Sequence, residues 1–179
     1  FYGNPLASKG DHSRREWFRT ACCPSNIARL VASVGDYIYA TSDNVLWVNL
    51  FIGSKANIPF GKNTIQLSTE TSYPWKGGVK FSVDPQKTQS FQMRIRIPGW
   101  LTEPAEGGLY SYQGGEIKAP VIKLNGKDVQ YRTENGYAVI ERKWKKGDIV
   151  EMELPMQVRR IVSRPELKQN NGRIALQYG

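Results

Sequence analysis

The stretch Phe91-Gln92-Met93-Arg94-Ile95-Arg96-Ile97-Pro98-Gly99 alternates apolar and polar side chains until the Pro-Gly pair interrupts it. Successive side chains of a strand point to opposite sides of a sheet, so Phe91, Met93, Ile95 and Ile97 share one face and Gln92, Arg94 and Arg96 the other. Pro98 brings no N–H to a ladder and marks the end of the strand. One dry face and one wet face predict a strand of an antiparallel sheet.

The same period of two extends in both directions. Upstream, Tyr37-Ile38-Tyr39 and residues 45–52 read as strands divided by a turn at Ser42-Asp43-Asn44, and residues 64–68 and 79–83 alternate. Downstream, residues 121–124, 137–142 and 149–154 read as strands around further turns. Turn chemistry separates them at Lys76-Gly77-Gly78, Asn125-Gly126, Asn135-Gly136 and Lys146-Gly147-Asp148. Many short strands at such spacing predict a mainly β chain, an antiparallel β-sandwich region read here as two sandwiches, residues 37–99 and 100–179. The glycine-rich stretch 102–115 reads as a long loop.

Only the beginning departs from this period. Residues 1–23 carry loop chemistry, with Asn4-Pro5, Ser8-Lys9-Gly10-Asp11 and a charged run from His12 to Glu16. A helix follows. Pro24 suits its first turn, Ile27, Leu30, Val31 and Val34 form one apolar stripe, and Gly35 is a natural stop. This places Cys23 at about the N-cap and Cys22 just outside.

Composition narrows the class. In 179 residues, 40% hydrophobic and 11% aromatic content suffice for a packed core and exclude wholesale disorder. No apolar run is long enough to span a membrane. The opening Phe1-Tyr2-Gly3-Asn4-Pro5-Leu6 and the end at Tyr178-Gly179 suggest a segment of a longer protein, which leaves the compartment open. The net charge of +9 comes from scattered residues such as Lys80, Arg94, Arg96, Lys143 and Arg160 rather than a basic block, so no nucleic-acid partner is expected.

The only two cysteines, Cys22 and Cys23, are adjacent. A disulfide wants Cα atoms about 5.5 Å apart, whereas chain neighbours stand about 3.8 Å apart, so the pair is poorly placed to bridge itself. It reads either as two thiols kept for chemistry or as two small buried hydrophobes. The first reading has a physical basis: unpaired N–H groups at a helix N-terminus stabilise a thiolate, and Arg14, Arg15 and Arg19 lie close in sequence. A thiolate is a nucleophile or a ligand for zinc, which favours sulfur donors. Two ligands do not close such a site. His12, the only histidine, is a candidate substrate contact or an ordinary loop residue, and Glu16 a nearby carboxylate. Trp17 and Phe18 form either an aromatic wall for a sugar or part of a core. Tyr73-Pro74-Trp75 and Pro98-Gly99-Trp100 resemble sugar-stacking edges, but aromatic turns of sandwiches usually cover a core end, and that reading is preferred for both.

Taken in order, several motifs resemble glycoside hydrolase family 127, which includes β-L-arabinofuranosidases. They are Asn4-Pro5-Leu6, Glu16-Trp17-Phe18, Ala21-Cys22-Cys23-Pro24, Asn26-Ile27-Ala28-Arg29, Tyr37-Ile38-Tyr39 and Glu70-Thr71-Ser72-Tyr73-Pro74-Trp75. Arg96-Ile97-Pro98-Gly99-Trp100, Leu124-Asn125-Gly126, Trp144-Lys145-Lys146-Gly147-Asp148 and Gly172-Arg173-Ile174-Ala175-Leu176-Gln177 continue the series. The resemblance implies a catalytic (α/α)6 barrel followed by β-sandwich domains, with residues 1–36 as the barrel's last piece. It implies that Cys22 is the nucleophile of a retaining glycosidase and a zinc ligand and that Cys23 is a second zinc ligand, while His12 and Trp17 stay candidate substrate contacts read from the residues alone. The remaining zinc ligands, a Glu and a Cys, and the acid/base Glu would lie upstream, so this chain alone is expected to be inactive. Implied partners are a glycan substrate, the upstream barrel and a second copy bound through a β-sandwich. The competing classes are a non-catalytic β-sandwich module for carbohydrate binding, dimerisation or barrel support, and a small zinc-binding interaction domain.

Overall fold

The structure, a computed structural model, describes residues 22–101, 108–114 and 118–179. It comprises two compact units, a helical piece ending at Tyr37 and a β unit, Ile38–Gly179. In the helical piece, α1 spans Cys22–Ser33 and runs into a 3-10 turn, Val34–Tyr37. Ser33 Oγ bonds back to the carbonyl of Arg29 at 3.0 Å as the helix loosens toward Gly35. Ile27, Leu30 and Val31 lie in the expected stripe, and all three are exposed.

Among the described residues the β unit contains fourteen strands. In chain order they are β1 (Tyr39–Ser42), β2 (Val45–Val48), β3 (Ser54–Phe60), β4 (Asn63–Thr71), β5 (Gly78–Pro85), β6 (Gln89–Arg96) and β7 (Tyr110–Gln113). There follow β8 (Val121–Leu124), β9 (Lys127–Asp128), β10 (Arg132–Glu134), β11 (Tyr137–Trp144), β12 (Asp148–Glu153), β13 (Val158–Ser163) and β14 (Ala175–Tyr178). They build a five-stranded sheet β1-β2-β6-β11-β10, a six-stranded sheet β3-β4-β5-β12-β8-β9 and a three-stranded sheet β14-β13-β7. All pairings are antiparallel except β2 with β6, which run parallel because β3, β4 and β5 cross to the six-stranded sheet between them.

The two larger sheets face each other as a β-sandwich. From the five-stranded sheet, Leu46, Val48, Phe91, Met93, Ile95, Ile140 and Trp144 turn inward. Ile58, Ile65, Leu67, Val79, Phe81, Val83, Ile122, Val150 and Met152 meet them from the other. Phe91 links the layers, 5.0 Å from Phe60 and stacked 5.4 Å from Trp144. Gln92, Arg94 and Arg96 face outward, as the alternation of β6 requires. On that outer face Arg94 sits 2.9 Å from Glu134 and 4.8 Å over the Trp47 ring.

The Asn-Gly pairs make the expected tight turns, with φ of 51° and 78° at Asn125 and Gly126 and of 48° and 79° at Asn135 and Gly136. The expected division near residue 99 falls inside one structure. β6 pairs with β11 and β5 with β12, so strands from both sides of that point share each large sheet. Strand period reveals the elements but not their partners, which is why one sandwich was read as two. The stretch taken as a loop, 102–115, contains β7.

Candidate functional site

The chemistry anticipated at the beginning of the chain lies on α1. Both cysteines are inside its first turn, two positions deeper than the sequence suggests. They are thiols rather than a disulfide, and both are exposed. Their Sγ atoms stand 3.8 Å apart. The Cys22 carbonyl accepts from Ser25 Oγ at 3.0 Å and Asn26 Nδ2 at 2.8 Å, so two side chains of the next turn hold the backbone that carries the pair.

That spacing can be tested against a metal. Two sulfurs bound about 2.3 Å from one tetrahedral zinc stand about 3.8 Å apart. The 3.8 Å between the two Sγ atoms is compatible with that separation. Among the described residues, no group of three or more His, Cys, Asp and Glu side chains comes together as a metal site. His12, Glu16, Trp17 and Phe18 lie outside the described residues.

The two aromatic turns separate. Trp100 and Tyr73 cover one end of the core, as expected: Trp100 Nε1 donates to Tyr73 Oη at 3.1 Å, and the Tyr73 ring meets Phe51 edge-on at 5.5 Å. Trp75 does not join them and is 80% exposed. Sequence patterning cannot separate these rings, because Tyr73 and Trp75 share one turn and differ only in direction.

A second polar cluster is structural. Asp148, fully buried at the start of β12, accepts from Asn125 Nδ2 at 2.9 Å and from the Lys145 N–H at 2.9 Å, with Arg142 at 3.5 Å. Burial pushes its carboxyl up, but these donors and the two cations outweigh it and hold it below the usual carboxylate range. Asn125 Oδ1 in turn accepts from the Ile149 N–H at 2.8 Å, so the cluster locks the β8–β9 turn to β12. Arg159 is also buried, its guanidinium lying 4.3 Å over Tyr112 and 5.6 Å over Trp100.

Three comparisons place this geometry among known proteins. The profile described as "Beta-L-arabinofuranosidase, GH127 middle domain" matches residues 45–156. A "Non-reducing end beta-L-arabinofuranosidase" of Bifidobacterium longum subsp. longum is 33% identical over 175 residues, covering 93% of this chain and 23% of its own length. Among solved structures, a GH127 beta-arabinofuranosidase superposes with a TM-score of 0.88 at 40% identity, over 100% of this chain and 28% of its own. A GH127 beta-L-arabinofuranosidase from Geobacillus stearothermophilus T6 gives a TM-score of 0.76 at 37% identity, over 93% and 24%. The chain thus spans about a quarter of the length of these relatives. Among the described residues, no helix is long and apolar enough to cross a membrane.

Proposed function

The chain belongs to glycoside hydrolase family 127, and from that premise we propose that it contributes the nucleophile of a retaining β-L-arabinofuranosidase-like enzyme, with Cys22 in that role. The observation that carries the proposal is the vicinal thiol pair on the first turn of α1, with sulfurs 3.8 Å apart. Cys22 and Cys23 would hold a zinc ion, with two positions left for donors from other residues. Zinc, when bound, supplies a positive charge that keeps a coordinating thiol deprotonated.

The chain's own residues do the following. Cys22 Sγ attacks the anomeric carbon of an arabinofuranoside, and the bond to the leaving oxygen breaks as a carboxylic acid elsewhere in the enzyme protonates that oxygen. Water, deprotonated by the same carboxylate, then displaces the sugar from sulfur and regenerates the Cys22 thiolate. Two displacements retain the anomeric configuration, as with carboxylate nucleophiles. The backbone N–H groups at the start of α1 favour the negative sulfur, and Ser25 and Asn26 bond to the carbonyl of the residue that carries it. The exposed stripe Ile27, Leu30 and Val31 supports the reading of α1 as part of a larger helical body, since an amphipathic helix buries its apolar face when complete. On this reading the 179 residues alone are inactive and the β-sandwich is scaffold.

The test is hydrolysis of an aryl β-L-arabinofuranoside by the full-length enzyme, with zinc content measured by mass spectrometry. Cys22→Ala is expected to lower kcat by about 10³-fold or more, and Cys23→Ala to lower bound zinc and activity together. Full activity in Cys22→Ala removes the assignment.

A further inference from the structure

Among the described residues Trp75 is the most exposed large apolar side chain, at 80%. Its turn is nonetheless tightly held. The N–H groups of Trp75 and Lys76 both donate to the Ser72 carbonyl, at 2.9 and 3.1 Å. Thr71 Oγ1 accepts from the Tyr73 N–H at 3.0 Å and donates to the Gly78 carbonyl at 2.8 Å. The Leu154 N–H closes the far side on the Gly77 carbonyl at 3.0 Å. With Tyr73 anchored in the core end, the indole is presented on a fixed base, and a ligand stacking there need not order a loop.

Beside this turn an open groove crosses the outer face of the six-stranded sheet. Its charged lining comprises Glu70, Glu151 and Glu153 against Lys76, Lys80 and Lys123, three of each sign. A balanced lining selects neither an anion such as nucleic acid nor a cation. What it offers is closely mixed hydrogen-bond donors and acceptors, with the Ser72 hydroxyl among them. A neutral polyhydroxyl chain, each of whose hydroxyls both donates and accepts, matches that chemistry. Trp75 stands on the same turn as Ser72 and Lys76 of that lining, and its flat exposed indole matches the C–H face of a sugar ring.

We propose that Trp75 and the groove beside it form a glycan-binding subsite on the β-sandwich, separate from the thiol pair, in which a sugar ring stacks on the indole and neighbouring hydroxyls bond to Ser72, Lys76 and Glu153. This rests on the reading of the parent enzyme as one that acts on glycans, and it gives the sandwich a part in holding the polymer.

The experiment is affinity electrophoresis of the 179-residue chain through native gels containing soluble arabinan, with plain gels as reference. Wild type and Cys22→Ala are expected to be retarded equally, because stacking does not use the nucleophile. Trp75→Ala should weaken retention about tenfold or more, and Trp75→Phe less. Far-UV circular dichroism should be unchanged in both, since the ring touches no core. Equal retardation of Trp75→Ala and wild type, or no retardation of wild type, overturns the proposal. Either result leaves the Cys22 assignment standing, because binding to the sandwich does not test it.

Discussion

Asp148 and Cys22 show two opposite ways in which a single residue can matter here. Asp148 is buried and every donor around it needs its carboxylate. Asp148→Ala leaves the Lys145 N–H and Asn125 Nδ2 without acceptors and should destabilise the chain by about 2–4 kcal/mol in urea denaturation. The pH dependence has a definite sign. The folded-state carboxyl titrates below its unfolded value, so its contribution is fully present above the unfolded value and is lost as pH falls through the folded one. The stability gap between wild type and Asp148→Ala should therefore be flat above about pH 5 and shrink below about pH 4. A gap that widens in acid would contradict the donor arrangement. Cys22, in contrast, is exposed on the first turn of α1. In sequence the pair stands out as adjacent cysteines before a proline, within a motif of the family. That the two sulfurs stand at a spacing suited to one metal needed side-chain positions.

Among the elements, the six-stranded sheet carries an ordered transverse row. In register across β4, β5, β12, β8 and β9 lie Glu70, Lys80, Glu151, Lys123 and Asp128, alternating in sign. The one pair close enough to be an ion pair, Lys80 with Glu70 at 3.9 Å, is solvent-exposed, so the row is worth little in any single contact. Lys80→Glu should cost no more than about 1 kcal/mol, and the loss should diminish as salt is raised. Gly77→Ala is the stronger perturbation despite its smaller chemistry. A Cβ there would lie 1.9 Å from the Leu154 carbonyl oxygen, so the turn must open. A loss of about 1–3 kcal/mol is expected in the same denaturation assay. Strands with one dry face, such as β5, β6 and β11, were legible from alternation alone. β3 was not, because it is an edge strand that includes Pro59 and small polar residues, which only an edge tolerates. β13 and β14 escaped notice because several of their apolar residues, Val158, Leu176 and Tyr178, are exposed and give no clean alternation.

At the scale of the molecule, one core is closed by strands far apart in sequence. Trp144 on β11 is fully buried, stacks on Phe91 and donates from Nε1 to the Phe91 carbonyl at 2.9 Å, so it ties the late strands to the early ones. Trp144→Ala should cost about 3–5 kcal/mol and lower the single cooperative transition as a whole. Two separate transitions would favour the division into two sandwiches that local patterning suggested. Pairing such as the parallel β2–β6 contact is not written in any local period, whereas the order of family motifs along the chain was readable from the first. The central claim is that Cys22 becomes covalently attached to the sugar. It is met most directly by peptide mass mapping of the full-length enzyme, acid-quenched during turnover of an activated β-L-arabinofuranoside. The account predicts one pentosyl adduct on the peptide containing Cys22, absent from Cys22→Ala; an adduct on any other residue, or turnover by Cys22→Ala at the wild-type rate, would contradict it.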